Sequence, residues 1–379
     1  MTTIYLIRHG QAEGNYYRRC HSWHNGLLTP KGRKQLLLLE RRFEQVHIDA
    51  VYSSDLYRAM STAGAIYRPR GLSLRVDPDL REIGAGVWEG IPWGQLLHDH
   101  RESLASFLCC ESGWYVEGSE RFPQVQDRVC RAVERIAAAH PDQTVAIVSH
   151  GCAIRAGLSA WLGMGVDKIG QIPLSDNTGV AKLEVERHQV KVVYYNDNSH
   201  LGEFASPARA PGRDYALSGM EANALHYRPL SLPQDSAAYL TAREEGWRTA
   251  FGSLEGFDGP ALLEEAQTDA GQCPESVLQA LLGNTPAGIL HTDWQRDADK
   301  GLGWIVFLYM APKFRGKGLS VQLLGQAVSA GRAMDRQYLR VCCPTDNQTG
   351  RSYLLAHGFH PVGGGDGSNT LEKYIGLEL

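Results

Sequence analysis

Thr3–Gly10 reads TIYLIRHG and Thr144–Gly151 reads TVAIVSHG. Each is an apolar run without polar alternation, the pattern of a strand buried on both faces of a parallel sheet. Parallel strands deliver their carboxyl ends to one edge, and open α/β sheets place their chemistry there. His9 and His150 are therefore expected together at that edge, with Arg8 beside them. Working outward, Pro30–Phe43 reads as a helix with a basic outer face, Ala50–Ser53 as a strand and Leu56–Ile66 as a helix. Arg121–His140 carries Val125, Val129, Val133 and Ile136 on one helical face and is closed by Pro141. Val180–Val185 and Gln189–Tyr195 read as a late hairpin. The order of elements predicts an α/β fold.

With 379 residues, 43% of them hydrophobic and 21% charged, the chain has the makeup of a globular protein. That length predicts two domains of about 150–200 residues each. A net charge of -4 gives no general attraction for nucleic acid. No apolar run is long enough for a membrane span, and the strand pattern begins without a signal-peptide core, so a cytoplasmic protein with no membrane partner is expected. The eight cysteines include no CxxC and predict reduced thiols rather than a disulfide frame or zinc knot. Pattern dissolves at FASPARAPGRDYALSG, which predicts a first domain over 1–201, a linker over 202–221 and a second domain over 222–379.

A phosphate monoester needs cations on its outer oxygens, an in-line nucleophile and an acid for the leaving oxygen. His9 fits the nucleophile, because a neutral imidazole can attack phosphorus. Arg8, Arg58 and His150 would hold the phosphoryl group, and Asn15 could add a neutral donor. Glu82, in LREIGAGVWEG, is the expected proton donor, with Trp88 shielding its carboxyl from water. A metal held by His9 and His150 is the competing chemistry. Arginines rather than carboxylates flank them, so no metal is expected.

These motifs, in this order, resemble the histidine phosphatase superfamily over roughly Met1–Leu201. The resemblance rests on Arg8-His9-Gly10 with Asn15, on Arg19, on Leu28-Thr29 to Gly32, and on the whole of SSDLYRAMSTA. It also includes LREIGAGVWEG, VSHG and the late run NDNSHL at Asn196–Leu201. It implies a three-layer α/β/α histidine phosphatase fold and a phosphohistidine on His9. Phosphate binding would fall to Arg8, Asn15, Arg58 and His150, and the proton donor would be Glu82. A small-molecule phosphomonoester would be the substrate, and this half would need no cofactor. The compact loop Gly86–Gly90 looks like the phosphatase branch; a phosphoglycerate mutase-like phosphoryl transferase is the alternative. His21, Ser22 and Asn25 depart from the residues many relatives carry, which makes Arg19 and His21 candidate specificity residues. The segment from Pro92 to Gly118, with Trp93, Phe107, Trp114 and Tyr115, is expected to cap the pocket and suits a leaving group larger than glycerate.

In the second half Trp304–Met310 is an apolar strand, Pro312 ends it, and RGKGLS at Arg315–Ser320 enters an amphipathic helix. Two glycines there can turn backbone N–H groups inward as an anion nest. The spacing is neither that of a Walker A loop nor a Rossmann fingerprint. An ordinary strand-to-helix turn is the rival reading. Order and motif resemble the GNAT acyltransferase family over about Ala222–Leu379. The resemblance implies an α+β GNAT-like domain that binds acetyl-CoA through Arg315, Gly316, Lys317, Gly318, Leu319 and Ser320, with Asn347 in a later motif. A small-molecule or peptide amine would be the acceptor. Ser320 replaces the usual glycine or alanine, and Leu354 stands where the family often has a tyrosine. The whole then reads as a bifunctional enzyme, or as a phosphatase with a non-catalytic acyl-CoA-binding module.

Overall fold

A computed structural model of the chain describes residues 1–205, 217–232, 234–365 and 367–377. Two compact units emerge, Met1–Met220 and Glu221–Glu378. Of the predicted linker 202–221, residues 206–216 lie outside the described residues.

The first unit is built on six strands: β1 (Thr2–Arg8), β2 (Ala50–Ser53), β3 (Leu74–Val76), β4 (Thr144–Ser149), β5 (Val180–Glu186) and β6 (Gln189–Asp197). Their order is β3-β2-β4-β1-β5-β6. The first four run parallel, and β5 and β6 close one side antiparallel. Ile4, Leu6, Val145 and Ile147 face a core shared with Val133 and Ile136 of helix Phe122–Ala139 and Ile154 and Leu158 of helix Gly151–Trp161. Ile7, Val51, Ala146 and Val148 face the opposite core, against helices Pro30–Phe43 and Tyr57–Tyr67. The central strands are thus buried on both faces, which is why they read as unbroken apolar runs.

Register then places the chemistry. Arg8 pairs with Ser149 and Ile7 with Val180, while Ser53 pairs with Val148. The residues that follow β1, β2 and β4 therefore emerge at one edge, joined there by the loop that precedes β5. The segment expected to cap the pocket forms two helices, Trp93–Asp99 and Arg101–Cys109. Its aromatic rings do not wait for a ligand. Phe107 and Trp114 lie 4.7 Å apart and Trp114 and Trp88 5.3 Å apart, a buried cluster of their own.

The second unit has seven strands: β7 (His226–Pro229), β8 (Val277–Leu282), β9 (Thr285–Asp293), β10 (Leu302–Met310), β11 (Tyr338–Pro344), β12 (His360–Gly365) and β13 (Ser368–Tyr374). They are ordered β12-β13-β11-β10-β9-β8-β7, with β10 and β11 the parallel pair. That pairing runs from Leu302↔Tyr338 to Ile305↔Val341, whereas β10 stays on β9 as far as Met310. The two strands part company after Ile305. Helices Ser236–Phe251 and Gly259–Gln272 share a core with β8 and β9 through Tyr239, Ala242, Ala266, Val277 and Ile289. Among the described residues no helix is long and apolar enough to cross a membrane.

Candidate active site

Beyond the Arg8–Ser149 rung the two strands continue into His9 and His150, whose ring centroids are 5.1 Å apart. Both are buried, at 2% and 0% exposure. His9 Nδ1 lies 2.8 Å from the Gly10 carbonyl oxygen. A carbonyl can only accept, so Nδ1 carries the proton and Nε2 keeps its lone pair. Burial first, and the Arg58 charge next, hold both imidazoles well below the usual histidine range. His9 is therefore neutral, with Nε2 free of a proton.

Arg58, at the start of helix Tyr57–Tyr67, points its Nε at His9 Nε2 from 3.3 Å. One terminal nitrogen donates to the Ser22 carbonyl at 2.7 Å and the other to the His24 carbonyl at 3.3 Å. Burial draws this guanidinium down to about 10, still a cation at neutral pH. Arg8 gives one terminal nitrogen to the Ser175 carbonyl. His21 stands edge-on to His9 at 6.0 Å. Two glycines make this crowding possible. A Cβ on Gly14 would fall 2.1 Å from His21 Cγ, and one on Gly151 would fall 2.7 Å from Leu174 Cδ1 and 3.5 Å from Arg8 Nε.

Four nitrogens in this cluster are buried without a hydrogen-bond partner among the described residues: Arg8 Nε, His21 Nε2, and both ring nitrogens of His150. An unpaired buried polar atom costs about 1–3 kcal/mol. Arg8 Nε and the one N–H of a neutral His150, whose ring lies 5.1 Å from that of His9, are donors left for the oxygens of an anion.

Glu82 is held beside His150 by a device other than the expected one. Its carboxylate accepts the backbone N–H of Cys152 at 3.0 Å, of Ala153 at 2.9 Å and of Ile83 at 3.1 Å. The first two open the helix that His150 caps. Trp88 instead packs with His100, Phe107 and Trp114. Asn15 uses its amide oxygen to accept the Ala12 N–H at 3.1 Å, leaving its NH2 as the donor. Arg19 donates through Nε to the Gly90 carbonyl at 2.6 Å, which ties it to the Glu82 loop rather than to His9.

The structure brings in residues that the motifs did not single out. Thr62 Oγ1 accepts the Gly10 N–H at 2.9 Å and donates to the Arg58 carbonyl at 2.7 Å. Asn177 Nδ2 donates to the His9 carbonyl at 2.9 Å. Glu89 accepts the backbone N–H groups of Trp23, His24 and Ala85 and so fixes the segment that carries His21. Thr62 and Glu89 sit inside quoted motifs; Asn177 has no sequence signal beyond an Asp-Asn-Thr-Gly turn.

In the second unit the loop after β10 enters helix Ser320–Ala333 with Gly316 and Gly318 at φ 72° and 70°, left-handed conformations that suit glycine. Arg315 is partly exposed and braced within the unit. Its Nε donates to the Met310 carbonyl at 2.8 Å and a terminal nitrogen to Glu245 Oε1 at 2.9 Å, while Tyr309 donates to Glu245 Oε2 at 2.7 Å. The Leu319 side chain is buried, so that residue can offer a ligand only its backbone. Lys317 sits 5.7 Å from the Phe314 ring, and Ser320 opens the helix. Asn347 caps helix Gln348–Ala356 by accepting the Gly350 N–H at 2.8 Å. Leu354 is buried, and the Tyr353 ring packs on His357 at 4.1 Å. The described residues hold no group of three or more His, Cys, Asp or Glu suited to a metal ion.

Residues 4–198 match the histidine phosphatase superfamily (branch 1), and residues 241–359 match the acetyltransferase (GNAT) family. Phosphoserine phosphatase 1 of Hydrogenobacter thermophilus is 29% identical over 208 residues, 54% of this chain and 96% of that protein. A Yersinia pestis protein named as a phosphoglycerate mutase, GpmB, is 30% identical over 164 residues, 43% of this chain and 76% of its own. The solved structure of Bacillus stearothermophilus YhfR matches with a TM-score of 0.52 and 32% identity, covering 53% of this chain and 100% of that one.

Proposed function

The chain belongs to the histidine phosphatase superfamily and carries a GNAT-family domain in its second half, and from that premise we propose a bifunctional enzyme. Residues 1–201 would hydrolyse a small phosphomonoester through a phosphohistidine. Residues 222–379 would transfer an acetyl group from acetyl-CoA to a small-molecule or peptide amine, with 202–221 as the linker. The observation that supports the first half is a neutral His9 whose Nε2 lies 3.3 Å from Arg58 Nε, in one cluster with the unpartnered buried donors of Arg8 and His150. In the proposed first step Nε2 attacks phosphorus, the ester P–O bond breaks, and Glu82 gives the leaving oxygen its proton. Water then attacks the phosphohistidine, returning that proton to Glu82 and releasing phosphate with His9 restored. Arg8, Arg58, His150 and the Asn15 amide would carry the phosphoryl oxygens through both steps. His21 and Arg19 border the place of the leaving group and would select it.

For the second half, the backbone N–H groups of Gly316–Ser320 at the start of the helix would supply the donors for a pyrophosphate, the Arg315 N–H being held by the Pro312 carbonyl at 3.1 Å. Acetyl-CoA would supply the activated acyl group there. The rival, an acyl-CoA-binding module without turnover, is favoured by one observation: Leu354 is buried and apolar where the family's tyrosine is expected.

Phosphate release from a panel of phosphorylated metabolites, phosphoserine first because of the Hydrogenobacter relative, tests the hydrolase with His9→Ala as control. Release from one compound that disappears in His9→Ala supports it. Transfer that depends on a bisphosphorylated primer would turn the reading to a mutase. Consumption of acetyl-CoA with an amine panel, set beside CoA binding alone, separates enzyme from module in the second half.

A further inference from the structure

The late run NDNSHL was singled out in the sequence, and its side chains bond to Asp176 and Thr178. Between it and the nucleophile lies the loop Ser175–Gly179. Thr178 N–H donates to the Arg8 carbonyl at 2.9 Å and Arg8 N–H donates to the Gly179 carbonyl at 3.1 Å, so this loop grips the end of β1. Asn177 Nδ2 reaches one residue further, to the His9 carbonyl at 2.9 Å. The N–H of that same peptide, on Gly10, is held by Thr62 Oγ1 at 2.9 Å. The peptide plane between His9 and Gly10 is thus pinned from both sides. It is followed directly by the Gly10 carbonyl that accepts His9 Nδ1–H.

The loop is itself braced. Asn196 Oδ1 accepts the Asp176 N–H at 2.8 Å, Asn198 Nδ2 donates to Asp176 Oδ2 at 2.6 Å, and His200 Nε2 lies 3.1 Å from Thr178 Oγ1. Thr178 is fully buried with φ at 64°, a conformation costly for a β-branched residue. A strained, sealed residue next to a nucleophile persists only where its surroundings over-determine it.

We infer that Asn177 is a positioning residue for the His9 nucleophile, and that Asn196, Asn198 and His200 serve to hold the loop that carries it. By pinning the His9–Gly10 peptide, Asn177 keeps the Gly10 carbonyl on Nδ1 and so keeps the lone pair on Nε2. The assignment rests on the phosphohistidine reading above. Only a short neutral donor fits the position: aspartate has the same shape but cannot donate to a carbonyl when ionised.

Asn177→Ala and the isosteric Asn177→Asp are compared with wild type on p-nitrophenyl phosphate, alongside the 15N and 1H resonances of the His9 ring in the full chain. The expected result is a fall in kcat of about tenfold or more with KM within about threefold, since misplacement of a reacting group acts on the chemical step. The His9 Nδ1–H signal should weaken as the other tautomer appears. Wild-type kcat in Asn177→Asp would overturn the assignment. So would a loss of activity that merely follows loss of folded protein while the His9 signals stay unchanged. If wild type released no phosphate from any ester, the hydrolase reading would fail. The His9 resonances would still decide the positioning role, with unchanged tautomers in both variants counting against it.

Discussion

Arg58 Nε stands 3.3 Å from His9 Nε2, so the cation proposed to hold a phosphate rests on the atom proposed to attack it. An incoming phosphoryl group would draw that N–H onto its own oxygen and uncover the lone pair. The rest of the guanidinium stays fixed by the Ser22 and His24 carbonyls. Arg58→Lys keeps the charge but cannot bridge the two carbonyls and the ligand together. It should lower kcat/KM for phosphate release by roughly two to three powers of ten. A variant within about threefold of wild type would show that Arg58 does not bind the reacting group.

Glu82→Gln separates acid catalysis from architecture. With an alkyl phosphate, whose departing oxygen needs a proton, kcat/KM, which reports the phosphorylation step, should fall by about 10²–10⁴. With p-nitrophenyl phosphate, whose leaving group departs as an anion, the loss should be far smaller. The three backbone N–H groups on the Glu82 carboxylate add a second effect. A neutral amide satisfies them less well, so the variant should also lose about 1–2 kcal/mol of stability in denaturant titration. Equal losses for both esters would remove Glu82 from the proton-donor role.

Why some of this was legible and some not follows from range. The two His–Gly strand ends were readable because a doubly buried strand writes itself as a local apolar run. Arg58 was readable because it sits in a long intact motif. The partner of Glu82 was not, since it is the start of a helix 70 residues away and depends on how β4 meets the sheet. Trp88 misled for a related reason: an aromatic near a carboxyl in sequence found better packing on Phe107 and Trp114. The tasks of the Arg315 and Asn347 side chains were not readable from their motifs: one braces a strand end and a helix and the other caps a helix.

The buried histidines make stability depend on pH in a definite direction. His9, His21 and His150 are held well below the usual range chiefly by burial, and His200 is brought down to about 4 by the same cause. Once unfolded, each would titrate near about 6.5. Below that pH the unfolded chain binds protons that the folded one refuses, so stability falls as pH drops. For His200 the loss continues until pH reaches its folded value. Each imidazole contributes up to about 1.4 kcal/mol per pH unit. Above about pH 7 these groups add no slope. Calorimetry should show the transition that inorganic phosphate moves upward shifting to lower temperature between pH 7 and about pH 5. The slope should be shallower in His200→Gln, and an unchanged slope would mean that His200 is not buried neutral.

In the second unit, glycine conformation and side-chain bracing can be told apart by CoA binding. Gly316 and Gly318 have φ of 72° and 70°, and a Cβ at either would meet nothing within 4 Å. Alanine there is penalised by backbone strain alone, on the order of 1–2 kcal/mol. That strain falls on the bound and free loop alike unless binding demands the left-handed turns. Gly318→Ala should therefore raise the CoA dissociation constant by about tenfold if the loop is a nest for the pyrophosphate, because the variant loop relaxes when empty and must be forced back when filled. The Arg315–Glu245 pair is partly exposed, at 41% and 36% of the side chains, and pairs of that kind contribute about 0–1 kcal/mol. Glu245→Gln should then change the same constant by no more than about fivefold. Isothermal calorimetry with CoA on the full chain reads both. If Gly318→Ala bound CoA as wild type does while Glu245→Gln did not, the contact would belong to side chains around Arg315 and not to the backbone of the glycine loop.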